Sequence, residues 1–242
     1  MSEDEMVGDE TQHVPVPRLV RINAKPAPVE VDLTRTAVIV VDMQNAFVSV
    51  GGMFDEAGYD ISRAPAIIAK NAELLPALRE AGVKVVYLKM SYTEDYSDAG
   101  GPESPNWHKE LGLVLMQERP ENWGKYVTRG TWDEEIREEI APCPGDVVVR
   151  KQRYSGFAGT NLDLVLKTFG IRYCLYTGVA TNVCVETTLR DGYLLDYWPI
   201  LVADASDNSG PEHNRLATEW NVEHAFGWVT SARDVQEALS EE

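Results

Sequence analysis

The chain has 242 residues and a formal net charge of −17, from 39 Asp and Glu against 22 Lys and Arg. That balance disfavours phosphate backbones and anionic lipid surfaces, so neither a nucleic acid nor a membrane is expected as a partner. The 44% hydrophobic and 25% charged content is that of a globular protein, and no apolar run approaches the roughly 18 residues of a membrane span.

Residues 1–34 are polar, Pro-containing and aperiodic, and are expected to form a flexible N-terminal arm. One domain is expected over 35–242. The opening MSEDEMVGDE lacks the charged-then-apolar order of a signal peptide. Three cysteines, Cys143, Cys174 and Cys184, make no disulfide framework, which points to a reducing, cytoplasmic setting.

The run TAVIVV over 36–41 is apolar on both faces, the pattern of a central parallel strand. A helical period follows over about 67–81, closed by Gly82, and 83–88 reads as a second strand. Residues 91–130 show no clear period and are expected to be a long functional loop. A short helix is expected near Trp132, then a third strand over 146–149, a helix over 161–169 and a strand over 173–177. Helix 181–191, strand 199–202, helix 211–223 and strand 226–229 complete the alternation. Ser231 with Asp234 three residues on opens a terminal helix. Repeated strand–helix units imply a parallel sheet covered on both faces, with ligands at the carboxyl ends of its strands.

Three polar residues fall at those ends. Asp42 follows the first strand, Lys151 follows the third, and Cys184 lies where the strand before it turns into a helix. Singly, each has an ordinary explanation: a helix cap, a solvated strand end, an inert buried thiol. Together on one rim they describe acyl or carbamoyl transfer. A cysteine in the first turn of a helix has its pKa lowered toward the thiolate, a lysine stabilises that anion, and an aspartate carries the proton. Backbone N–H groups of the turn from Gly178 to Cys184 can hold an oxyanion. Dinucleotide and nucleotide-phosphate glycine motifs, C-x-x-C and H-x-x-x-H are all absent from the sequence, and the histidines are scattered, so neither a metal nor a cofactor is expected. A pairing of Cys184 with a histidine stays open, as does a non-catalytic binding or scaffold role.

The stretches VVDMQN (40–45), RKQRYSGF (150–157) and TGVATNVCV (177–185) resemble the isochorismatase-like cysteine hydrolases over about residues 35–240. That resemblance implies a Rossmann-like three-layer α/β/α sandwich with a parallel six-stranded sheet. It also implies a triad on Asp42, Lys151 and Cys184 and a cis peptide at Val179–Ala180, with Thr181 completing the turn. AGGPESPN (99–106), ATNVCVE (180–186), TLRDG (188–192) and FGWV (226–229) are similar to the branch of the family that hydrolyses ureidoacrylate in pyrimidine breakdown. Biuret and triuret hydrolases are near relatives of that branch. The implied partner is a small ureido compound, and relatives are commonly homo-oligomers. One departure stands out: where that branch carries Gln-Asn-Gly-Trp after the second strand, this chain has Lys89, Met90, Ser91 and Tyr92. Tyr92, Trp107, Tyr154 and Phe157 are expected as pocket walls, and Asn106 and Ser155 as hydrogen-bonding groups. Arg153 and Lys109, with Lys89 behind them, are expected to supply positive charge for an anionic substrate.

Overall fold

The computed structural model describes residues 16–240. Its centre is a six-stranded parallel sheet of strands β3 (Thr36–Val41), β4 (Lys84–Met90), β5 (Val147–Lys151), β6 (Tyr173–Val179), β7 (Trp198–Asp207) and β8 (Trp228–Thr230), in the order β5-β4-β3-β6-β7-β8. All six residues of β3 are buried, as expected for a strand covered on both sides. Val38 and Val40 pack into one apolar cluster with Leu74 and Leu78, while Ala37, Ile39 and Val41 pack into the other with Leu162, Leu166 and Leu189. The first cluster is capped by helices α3 (Ala64–Glu80) and α9 (Ala232–Ser240), the second by α6 (Leu162–Thr168) and α7 (Glu186–Leu194). The three-layer sandwich is therefore as expected.

Three expectations need correction. Of the arm expected over 1–34, residues 1–15 lie outside the described residues, but β1 (Leu19–Ile22) and β2 (Val29–Asp32) form an antiparallel hairpin. Val20, Ile22, Val29 and Val31 alternate inward from it and are buried in the first cluster, so the stretch pays its way in apolar area and stays folded. The stretch 91–130 is not a bare loop: α4 (Pro105–Lys109) and α5 (Leu111–Glu118) stand inside it. Ser104 caps α4 by accepting the Asn106 N–H, with Pro105 in the first helical position. No helix starts near Trp132; that segment folds as turns held to the site by an isolated bridge between Gln44 and Ile136.

The remaining helices are α1 (Asn45–Val48) and α2 (Met53–Glu56), which follow β3, and α8 (Glu212–Asn221), which follows β7. The terminal helix opens as expected, Ser231 Oγ accepting the Asp234 N–H at 3.1 Å. Among the described residues no helix is long and apolar enough to cross a membrane.

Candidate active site

The strand order reverses between β3 and β6, whose onward connections run to opposite sides of the pair, to β4 and to β7, so a crevice is expected at their carboxyl ends. Register sets what stands there. Val41 is level with Leu88 and Gly178, and Met90 is level with Lys151. Asp42 leaves β3 with φ +48°, a left-handed conformation that Asp tolerates better than most residues. Its carboxylate accepts the Met90 N–H at 3.1 Å, which holds it over the sheet edge. From β5, two strands away, the Lys151 side chain passes Met90 Sδ at 3.7 Å and places Nζ 2.7 Å from Asp42 Oδ2. The Arg153 carbonyl accepts from the same ammonium at 3.2 Å. Neither side chain of the pair has any solvent exposure.

Cys184 approaches this pair from the β6 side, close enough that its thiol and the Asp42 and Lys151 charges act on one another. Gly178 is required for that approach. It has φ +99°, and a Cβ there would lie 2.1 Å from the Val41 carbonyl oxygen. The Val179–Ala180 peptide is cis. Cys184 does not open an ordinary helix as expected: Thr181–Val185 is a π-helical turn leading into α7. The Val183 and Val185 N–H groups are spent on the Ala180 carbonyl, at 3.0 and 3.1 Å.

Electrostatics also differ from the expected resting thiolate. Burial pushes the Cys184 thiol up and the Asp42 charge adds to this, against a smaller downward pull from Lys151. Burial likewise raises the Asp42 carboxyl, partly offset by the Lys151 ammonium, the thiol and the Met90 N–H. Burial alone would lower Lys151, but Asp42 foremost, and Cys184 after it, more than compensate and raise it. The arrangement is a protonated sulfur facing a carboxylate of raised proton affinity, with a fixed cation beside both.

A cavity of about 150 Å³ opens onto Cys184. It is well below the ~300–1,000 Å³ taken by drug-sized ligands, so it suits a small compound. Ala180 and Val183 form the wall beside the sulfur, and Phe47, Met53, Phe54 and Tyr59 come from the short helices and loop after β3. Tyr154, Lys109, Glu110, Leu111 and Ser209 close the remaining sides.

Of the side chains expected to contact a substrate, Tyr154 and Lys109 therefore line the cavity, and the others serve the scaffold. Tyr92 is buried and its hydroxyl accepts from Asn106 Nδ2 at 2.9 Å; Asn106 also donates to the Ala99 carbonyl. Trp107 packs against the core beside Trp123. Arg153 donates to the Gln152 and Asp98 carbonyls. Ser155 Oγ donates to Asp191 at 2.5 Å, and Phe157 stacks on Tyr197 in the second apolar cluster. Lys89 pairs with Glu134 at 2.9 Å. Of the turn residues, Ala180 faces the cavity, while Val179 and Thr181 are buried beneath it. The walls that sequence reasoning missed are apolar and read as core; only the position of Phe47 and Phe54 directly after the Asp42 strand end could have flagged them.

An Isochorismatase domain family model matches residues 36–234, and the chain belongs to that family. It is 48% identical over 218 residues to the ureidoacrylate amidohydrolase RutB of Azorhizobium caulinodans, covering 90% of this chain and 96% of that protein. The enzyme of the same name from Stutzerimonas stutzeri is 48% identical over 212 residues, covering 88% and 86%. Among solved structures, a cysteine hydrolase from Pseudomonas syringae pv. phaseolicola superposes with TM-score 0.74 at 31% identity, covering 94% of this chain and 99% of that one. The N-carbamoylsarcosine amidase of Thermoplasma acidophilum follows with TM-score 0.61 at 25% identity, covering 82% and 96%.

Proposed function

We propose that this protein is a cysteine amidohydrolase that cleaves a small ureido compound, ureidoacrylate first among them, with Cys184 as nucleophile. The observation that carries the reading is the buried Asp42–Lys151 pair at 2.7 Å under a cysteine that opens onto a small cavity. The ureidoacrylate amidohydrolases, about half identical over nearly the whole chain, support the substrate.

A substrate R–NH–CO–NH₂ is cleaved in two stages, carbamoylation of Cys184 and hydrolysis of the thioester. Asp42 takes the thiol proton as the sulfur bonds to the ureido carbon, and Lys151 offsets the charge left on sulfur and carboxyl. The oxyanion is held by backbone N–H groups of the turn from Ala180 to Cys184. Collapse breaks the bond from carbon to the substituted nitrogen, Asp42 returns the proton to that nitrogen, and an amine departs. A carbamoyl thioester remains on Cys184. Water, deprotonated by Asp42, attacks it; the sulfur regains the proton, and carbamate leaves and decomposes to CO₂ and ammonia. From ureidoacrylate the amine is aminoacrylate.

Ammonia release from ureidoacrylate, biuret, triuret and nicotinamide tests this. Ureidoacrylate is expected to give the highest kcat/KM. Preference for biuret or triuret would keep the chemistry and overturn the substrate, and those two belong in the panel because Met90 stands where the branch carries an amide. No turnover of any ureido compound would overturn the reading. The protein is further read as a cytoplasmic homo-oligomer. Three free cysteines support the compartment, and exposed Leu194, Leu216 and Trp220 on α7 and α8 support a contact between copies.

A further inference from the structure

Glu110 is the one carboxyl group on the cavity wall, and its setting is unusual. The residue is only 2% exposed. Its Oε2 accepts the Leu113 N–H at 2.9 Å. Among the described residues no cation or side-chain donor pairs with it. An ionised carboxyl has about four acceptor positions, so the one backbone N–H leaves it unfilled. Capping α5 does not account for the residue, because Ser, Thr, Asp or Asn does that without burying a long acidic side chain. Burial pushes the carboxyl above its ordinary range, backbone N–H groups and Lys151 opposing and the Asp42 charge adding. A group this costly to desolvate, on the wall of a cavity it shares with Cys184, calls for a ligand that donates hydrogen bonds.

We propose that Glu110 selects the ureido group: its carboxylate accepts, as a fork, the two N–H bonds that point away from the ureido carbonyl while that carbonyl faces Cys184. The inference rests on the ureido substrate read above. In a urea the N–H bonds trans to the carbonyl oxygen, one on each nitrogen, run parallel at the spacing of the two oxygens of a carboxylate. A primary amide offers one such bond, and an ester none. Glu110 thus separates ureido compounds from simple amides of the same size because an amide fills only one tine of the fork and leaves the other carboxylate oxygen without its donor. The apolar walls from Phe47, Phe54 and Leu111 exclude water and strengthen the fork.

The test is Glu110→Gln, which keeps an oxygen for the Leu113 N–H but turns an NH₂ donor toward the substrate donors. With the ureido compound that the wild type turns over best, kcat/KM is expected to fall about 10- to 100-fold, mostly through KM. Modification of Cys184 by methyl methanethiosulfonate, which has no N–H, is expected to stay within about 3-fold, on the order of the scatter of exposed side-chain effects. Equal losses in both assays, or none in either, overturn the proposal while the ureido reading stands. A wild type that turns over no ureido compound overturns both. Should the Gln variant fail to fold, Glu110→Asp keeps the charge and withdraws it by one methylene; the same selective rise in KM is expected, and unchanged KM overturns the proposal.

Discussion

The two ends of the central sheet carry hollows of opposite character. At the carboxyl ends, about 150 Å³ closes over Cys184, with Asp42 and Lys151 fully buried beneath it. At the amino ends of β7 and β8, an open groove of about 640 Å³ is lined by Trp198, Trp228, Tyr197 and Phe226. Its Trp198 and Trp228 rings stack 5.2 Å apart, with the Arg172 guanidinium 5.2 Å over Trp198. The larger hollow has aromatic faces and solvated charge; the smaller has desolvated charge within reach of a sulfur. Reactivity follows the second, because a charge out of water acts on its neighbours far more strongly than one in it.

Four substitutions would break or sharpen that contrast. The largest effect is expected from Cys184→Ser, which should lower kcat/KM by about 10,000-fold or more while the melting temperature barely moves; retained turnover would assign the chemistry elsewhere. Next is Lys151→Met. It strands a buried carboxylate and should cost about 3–5 kcal/mol in urea denaturation, and the double variant with Asp42→Leu should recover most of that stability without activity. Failure of the double variant to recover would mean that Lys151 holds the rim through its contact with the Arg153 carbonyl rather than through its pairing with Asp42.

The third concerns pH. Asp133 accepts the N–H groups of Met53, a cavity wall, and of Val127, and burial raises its carboxyl to about 6 from an ordinary 3.8. The folded state therefore holds this proton more tightly than the unfolded chain. The stabilisation is fully present below about pH 3.8 and is lost as pH rises through 6. Relative to Asp133→Asn, the wild type should gain about 2 kcal/mol between pH 7 and pH 4, read from denaturation midpoints. A pH-independent difference would remove Asp133 as its source. The smallest effect is at the far end. Trp228→Ala should cost about 2 kcal/mol of stability through the lost ring stack and leave kcat/KM within about 2-fold. A large loss of activity would couple the two ends of the sheet.

The rim was legible in the sequence, and the cavity above it was not. Apolar strand runs, such as the fully buried 36–41, announce themselves by composition, and residues at or shortly past their ends land at the carboxyl edge by topology: Asp42 just after β3, Lys151 as the last residue of β5, Cys184 five residues beyond β6. That is how Asp42, Lys151 and Cys184 came together from three distant stretches. Wall residues follow no such rule. Phe47 and Phe54 look like any core aromatics, whereas Tyr92, Trp107 and Phe157 looked like walls and turned out to be packing. Glu110 reads as a surface charge, because nothing local reveals that α4 and α5 fold it inward. The Cys184 thiol is illegible locally for a related reason: a first-turn argument counts the dipole, but not the burial that pushes the thiol up.

The hairpin ahead of the domain has a practical consequence. Lys25 exchanges both backbone hydrogen bonds with Val229, at 2.8 and 3.0 Å, and Asn23 accepts from Thr230. Outermost strand β8 is thereby shielded from pairing with a foreign chain. A recombinant version trimmed to residue 36, where the family match begins, would discard that guard and invite edge-to-edge self-association, so expression trials should keep the hairpin from at least residue 16.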